Sequence, residues 1–346
     1  MKNYIALFLI SIAFVACRQS NSESNTIETA YSQIIGETMG TYYRVVYNSA
    51  ENYQISIDSL LIDINQQVNT YDPKSLISQF NQGTELVIEA NEPQHFSQNL
   101  EMAHQIYEKT DGFFDPTVMP LVYYWGFGKN KKAVEEVDSK KIETLLSYIG
   151  LDKIETSRLK SGGVFYEKSN PSAQLDFSAI AKGYAVDMVG QLFMDHDISN
   201  YLVEIGGETV TKGVNSTGNS WTIGIIEPTK QANPQQNHNA LVQIGDRAMA
   251  TSGDYLNFYE VNGKRYGHTL NPKTGYSAMS NILSASVVAD KCMMADGFAT
   301  GFMAMGIEKA FEMANSIPEL EAFFIYDDNG ETKVKYTEGM KALIVE

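Results

Sequence analysis

The second half of the chain is cut into short β-rich runs that do not alternate with helices, and this irregular succession limits the fold more than any other feature. "NYLVEIGGE", "WTIGII" and "LSASVVAD" are bounded by Gly, Asn or Pro, and "AFFIYDDNGETKVKY" reads as a hairpin through Asp-Asn-Gly. Two helical stretches lie among them, one from about Ser178 to Met194 and a Met/Gly-rich one near Cys292 to Met305. In the first half, "GETMGTYYRVVY" alternates around Tyr43, Val45 and Tyr47 as an opening strand. Three amphipathic helices follow. Ile57, Leu60, Leu61, Ile64 and Val68 stand behind a Ser56 or Asp58 cap, with Asp72-Pro73 as the stop. Leu100, Ala103 and Tyr107 follow Ser97 and are closed by Gly112; Ile142, Leu145, Leu146 and Ile149 follow Ser139 and are closed by Gly150. A doubly wound sheet needs regular strand–helix alternation. The expected class is therefore α+β, with mixed sheets, packed helices and two intimately associated halves forming one domain.

The chain of 346 residues suffices for such a domain, and 43% hydrophobic residues supply its core. The first residues, MKNYIALFLISIAFVACRQS, carry one lysine and an apolar run from Tyr4 to Ala16 that ends at Cys17. That run is shorter than the roughly 20 residues of a permanent span and fits a secretory h-region. FVAC resembles a bacterial lipobox, in which the cysteine is acylated. Residues 1–16 are thus expected to be a lipoprotein signal peptide, 17–33 a flexible tether after lipidated Cys17, and 34–346 the folded domain. The expected location is outside the cytoplasm, periplasm-facing and lipid-anchored, at an inner membrane more than an outer one. Cys292 is the only other cysteine, so lipidation of Cys17 leaves no intramolecular disulfide. A formal charge of −16 argues against nucleic acid or an anionic lipid surface as partner.

No G-x-G-x-x-G follows a strand, and neither a P-loop nor a Cys/His metal cluster is present. Three stretches carry candidate chemistry. "ADGFAT" sets Asp296 and Thr300 on one helix face, two oxygen donors suited to a hard divalent cation such as Mg²⁺. D-x-x-x-T is common, but its neighbours here are Gly, Ala, Phe and Met, which do not make a solvated face. "LDFSAIAKGYAVD" places Asp176, Lys182, Gly183 and Asp187 in helix-compatible sequence, where a lysine and a glycine beside an apolar stripe need a reason other than propensity. "RYGHTLNPKTG" puts His268 after a strand and before a Pro/Gly turn. Ser252 in "ATSGDYLNFYE" lacks a G-x-S-x-G elbow, so a serine-hydrolase reading has little support. The aromatics of "DGFFDPTVMPLVYYWGFGK" fit either a core cluster or a stacking wall for a flat heteroaromatic ligand.

Read in order, M-G-T, T-Y-D-P-x-S, F-N, D-G-x-F-D-P-T-V, L-D-F-S-A-I-A-K-G-Y-A-V-D, E-I-G-G-E, T-S-G-D-Y, H-T-L-N-P-K-T-G and A-D-G-F-A-T closely resemble the ApbE family of FAD:protein FMN transferases, from about Gly36 to Ile344. The resemblance implies an Mg²⁺-dependent enzyme that cleaves FAD, attaches FMN through a phosphoester to a threonine of an acceptor protein and releases AMP. It implies metal ligation by Asp296, Thr300 and the Ala179 carbonyl. It places Met39, Tyr71, Phe114, Asp115, Pro116, Asp176, Lys182 and Leu270 around the flavin nucleotide. His268 is the expected general base, with Asp254 as the second candidate or an orienting group. The expected acceptor is an exported or membrane redox protein, such as a subunit of a quinone reductase-type complex. One departure stands out: Asn271 occupies the position where the family's turn commonly has Asp. Competing readings are an FAD pyrophosphatase using water, a flavin-binding lipoprotein without turnover, and an FAD oxidoreductase, which lacks a nicotinamide fingerprint or redox cysteine pair.

Overall fold

The computed structural model describes residues 30–128, 134–228, 238–253, 258–261, 264–278 and 280–345. The leader, residues 17–29 of the expected tether with Cys17, and Asp254 lie outside these residues, and β1 begins at Ser32, inside the expected tether. The chain opens on the hairpin β1 (Ser32–Thr38) and β2 (Thr41–Tyr47), followed by α1 (Gln54–Val68), α2 (Leu76–Gln82), β3 (Glu85–Ile88) and α3 (His95–Lys109). Next come α4 (Met119–Trp125), α5 (Ser139–Leu146), β4 (Ile154–Arg158), β5 (Val164–Lys168) and α6 (Ala181–Asp195). Strands then dominate: β6 (Tyr201–Ile205), β7 (Glu208–Lys212), β8 (Ile223–Ile226), β9 (His238–Val242), β10 (Ala248–Gly253), β11 (Phe258–Val261), β12 (Lys264–Gly267) and β13 (Ile282–Ala289). The chain closes with α7 (Cys292–Met305), α8 (Ile307–Ser316), β14 (Glu321–Asp328), β15 (Glu331–Tyr336), α9 (Glu338–Leu343) and β16 (Ile344–Val345).

The central sheet has eight strands in the order β1-β2-β6-β7-β10-β13-β14-β15, every neighbouring pair antiparallel. Smaller sheets form from β3-β5-β4, β16-β9-β8 and β11-β12. This is the expected α+β class. Tyr43, Val45 and Tyr47 all point into the core, as the alternation requires. The opening strand is in fact a hairpin: Met39 and Gly40 have φ of 51° and 73°, and they turn the chain between Thr38 and Thr41. Two consecutive positive φ values match the twist of the flanking strands, a turn that Asn-Gly usually makes and that places an unusual Met in the left-handed region.

Helix α1 starts at Gln54, whose N–H donates to the Asn52 side chain at 2.8 Å. Ser56 and Asp58 therefore lie inside the helix rather than capping it, and Asp58 instead accepts from the Tyr43 hydroxyl and from Gln54. Helix α7 matches the sequence reading at both ends. Eleven of its residues are buried, on all sides, because it lies between the sheet strands β10 and β13 and the helices α3 and α6. Asp296 is the single charged side chain in it.

Gly183 and Gly297 explain how the helices come so close. A Cβ on Gly183 would lie 2.6 Å from the Cys292 carbonyl oxygen and 2.7 Å from Met293 Cα, so only glycine lets α6 touch the backbone that opens α7. A Cβ on Gly297 would meet Ile106 Cδ1 of α3 at 2.4 Å. Asp187, one turn beyond Gly183, accepts from the N–H groups of Cys292 and Met293 at 2.7 and 3.0 Å. It thereby satisfies the first donors of α7 from another helix.

A second apolar cluster, built from Leu121, Trp125, Ile142, Leu145, Ile149, Tyr266 and Leu270, joins α4 and α5 to the segment around His268. Trp125 stacks on Tyr266 with ring centroids 4.9 Å apart, and its Nε1 donates to the Gly275 carbonyl at 2.8 Å. Among the described residues no helix is long and apolar enough to cross a membrane.

Candidate functional site

The N-terminus of α6, the middle of α7 and one end of the central sheet meet at Asp296. Its Oδ2 accepts from the Gly183 N–H at 3.1 Å, and the Lys182 ammonium stands 3.9 Å away. Lys182 is closer to Glu208, with Nζ 2.8 Å from Oε1. Glu208 begins β7 directly after the Gly206-Gly207 turn of the β6–β7 hairpin. That turn lies beside the Met39-Gly40 turn, since the Gly206 N–H donates to the Tyr42 carbonyl at 3.0 Å. One turn of α7 beyond Asp296, Thr300 Oγ1 is 3.1 Å from Ser252 Oγ at the end of β10.

The electrostatics follow from burial. Asp296 and Glu208 are 3% and 4% exposed. Desolvation pushes the Asp296 carboxyl up to about 7, opposed by Lys182 and reinforced by Glu208. Burial also raises Glu208, and Lys182 pulls it back. Lys182 stays raised despite burial because Asp296 and Glu208 both favour the ammonium. Two carboxylates against one ammonium leave an excess negative charge in a dry place, which a cation would neutralise.

The donor set suits a hard cation. In a helix the Gly183 N–H ordinarily reaches the carbonyl four residues back; here it donates to Asp296, which leaves the Ala179 carbonyl a lone pair for another partner. A carboxylate, a hydroxyl and a backbone carbonyl are oxygen ligands, and Glu208 Oε2 is a buried acceptor in the same place without a hydrogen-bond partner among the described residues. Among the described residues no group of three His, Cys, Asp or Glu side chains forms a separate metal-binding cluster.

Tyr71, Tyr123 and Asp176 lie near one another. Tyr71 is 53% exposed, and its hydroxyl is held up by burial and by nearby Asp176. Tyr123, 45% exposed, feels both Asp176 and Tyr71, so these three side chains share one neighbourhood. Asp176 accepts from the Ser178 N–H and hydroxyl at 2.9 and 2.5 Å. Phe114, Asp115 and Pro116 are buried. Asp115 accepts from the Thr117 N–H and hydroxyl at 2.8 and 2.5 Å, and burial pushes its carboxyl up to about 6. This stretch is tied to Asp176, its Pro116 carbonyl accepting from the Asp176 N–H at 2.7 Å. Met39 is packed partly against the core.

His268 follows β12, with its ring 6.3 Å from that of Phe127 in an edge contact. Leu270 is buried and bridges to Ser277. Asn271 does the turn-forming work itself: Oδ1 accepts from the N–H groups of Lys273 and Thr274 at 2.9 and 3.3 Å, and Nδ2 faces the Ala304 carbonyl at 3.5 Å. A cavity of about 680 Å³ between α3, α6 and the start of α7 contains none of the expected site residues.

Ser252 and Glu208 are the two members of the site that sequence reasoning missed as participants. Glu208 had a signal: an acid directly after Gly-Gly, where a turn hands the chain to the next strand.

Fold and site together define a class: an antiparallel α+β protein with two buried carboxylates, Asp296 and Glu208, set against one lysine where two helices and the central sheet meet. A family model described as the ApbE family matches residues 39–324, and the chain belongs to that family. It is 33% identical over 328 residues to an FAD:protein FMN transferase of Haemophilus influenzae, covering 93% of this chain and 92% of that protein. It is 31% identical over 351 residues to the Escherichia coli K12 protein of the same name, covering 99% and 97%. Among solved structures, the flavin transferase ApbE from Vibrio cholerae superposes with a TM-score of 0.77 at 31% identity, covering 91% of this chain and 99% of that one. The apo flavinyl transferase ApbE of Pseudomonas stutzeri superposes at 0.79 with 27% identity, covering 91% and 96%.

Proposed function

We propose that this chain is an Mg²⁺-dependent FAD:protein FMN transferase. The observation that supports the reading is the buried Asp296 of α7, one turn before Thr300, accepting from the Gly183 N–H where α6 touches α7. Asp296, Thr300 and the Ala179 carbonyl would hold the Mg²⁺, which would supply charge neutralisation at a pyrophosphate. The protein's own part is positional. Tyr71 and Asp176 line the approach for the nucleotide, and Lys182 adds positive charge beside the ligands. An acceptor threonine Oγ bonds to the FMN phosphorus, the bond from that phosphorus to the AMP oxygen breaks, and AMP leaves. His268 takes the threonine proton. Asp254, as an orienting group, belongs to the same proposal.

The acceptor is a threonine of an exported or membrane redox protein, such as a quinone reductase-type subunit. Lipidation of Cys17 holds the enzyme on the periplasmic side of a bacterial membrane; the h-region and FVAC sequence support this.

Product stoichiometry tests the proposal. With FAD, Mg²⁺ and a threonine-bearing acceptor fragment, AMP should appear in step with acceptor-bound flavin. AMP with an equal amount of free FMN makes the chain a pyrophosphatase, and intact FAD makes it a binder.

A further inference from the structure

Glu208 is not among the ligands that the family resemblance implies, yet it is buried beside them. Its Oε1 holds the Lys182 ammonium at 2.8 Å, whereas Asp296 Oδ2 is 3.9 Å from the same nitrogen. Its Oε2 is buried and has no hydrogen-bond partner among the described residues. A desolvated carboxylate oxygen with nothing to accept from is costly, and such an atom in a native protein calls for an ion or a water that completes it.

We infer that Glu208 is a positioning residue of the divalent-cation site, resting on the reading of Asp296 as a metal ligand: it holds the Lys182 ammonium off Asp296. Without the Glu208 charge, Lys182 has one carboxylate left to pair with, and that carboxylate is the metal ligand. The ammonium then competes with the cation. Lys182 is 28% exposed at its side chain, so it has room to move between the two acids. Because the lysine is flexible and Asp296 is fixed by Gly183, the shift falls on the lysine.

The test is Mn²⁺ binding to the purified chain without FAD, read by electron paramagnetic resonance of the free ion. Glu208→Gln should weaken binding by about tenfold or more, the size expected when a group supporting a metal ligand is lost. Glu208→Asp, which keeps the charge, should bind more tightly than Glu208→Gln. The double variant Lys182→Met/Glu208→Gln should also bind more tightly than Glu208→Gln alone, because the competing ammonium is gone; a merely structural role for Glu208 would not produce that recovery. Glu208→Gln binding within about twofold of the wild type overturns the inference, as does a double variant no tighter than the single. Asp296→Ala separates the levels. If it abolishes Mn²⁺ binding while Glu208→Gln does not weaken it, only the role of Glu208 fails; if it leaves binding intact, the metal-site reading fails with it.

Discussion

The Gly183 N–H donates to Asp296 Oδ2 at 3.1 Å, so the backbone that opens one helix fixes the only charged side chain of another. The contact depends on the absence of a Cβ where α6 meets α7, which lets this backbone N–H come within reach of the carboxylate.

Gly183→Ala should therefore destabilise the fold. In an exposed helix the change would stabilise by about 1 kcal/mol. Here the added carbon lies 2.6–2.7 Å from backbone atoms of Cys292 and Met293, which cannot swing aside. Overpacking of this kind costs about 1–3 kcal/mol. Denaturant unfolding should show a lower midpoint with an unchanged slope. A midpoint at or above that of the wild type would contradict the packing argument.

Asp296 makes stability depend on pH. Its carboxyl sits near 7 when folded, against 3.8 as the ordinary value, and burial is the first cause. Asp187 and Asp115 are raised to about 6 for the same reason. A raised carboxyl means that the folded state holds more protons than the unfolded chain, so this contribution to stability is fully present below about pH 4 and is lost as pH rises to about 7. In EDTA, Asp296→Asn should melt above the wild type at pH 8, with the gap closing as pH falls toward 4. Thermal melts across that range check it; equal melting temperatures at pH 8 would contradict it.

Asn271 should tolerate the family's usual residue. Its Oδ1 accepts two turn N–H groups, and a carboxylate oxygen can do the same. Only the long 3.5 Å contact to Ala304 needs the amide. Asn271→Asp should keep FAD turnover within about threefold, whereas Asn271→Ala should lose about 1 kcal/mol of stability and lower kcat, because the segment carrying His268 loses its internal support. Comparison of the two variants by turnover and melting temperature decides the point.

Tyr71 should matter for FAD and not for folding. It is 53% exposed, so Tyr71→Ala should shift the melting temperature little. If the tyrosine stacks on the nucleotide, KM for FAD should rise by about tenfold, the equivalent of about 1.4 kcal/mol. An unchanged KM would remove Tyr71 from the site.

Local pattern explains what the sequence made legible. The β14–β15 hairpin turns at Asn329-Gly330, both with positive φ, as Asp-Asn-Gly suggested. Helix α7 ran as read because its apolar residues and the one acid are contiguous. The lysine and glycine of the AKG tripeptide were visible as anomalies, but their reasons were not. Gly183 answers to the backbone of α7 and Lys182 to an acid on β7, and neither contact has a signature in neighbouring residues. The Met39-Gly40 turn was missed because Met is a poor marker of the left-handed region, so two strands read as one. Ser56 and Asp58 read as caps because both residue types favour that position, but the helix opens earlier, at Gln54, and a tertiary contact recruits Asp58 to Tyr43.

The central claim is that the Asp296 site makes this chain a flavin transferase. The direct measurement is the intact mass of a threonine-bearing acceptor fragment after incubation with the enzyme, FAD and Mg²⁺, beside an Asp296→Ala control. The account predicts a gain of one FMN phosphoester on the threonine with the wild-type enzyme and none with the control. An unlabelled fragment from an acceptor that other ApbE-family enzymes do label, or equal labelling by the Asp296→Ala variant, would contradict it.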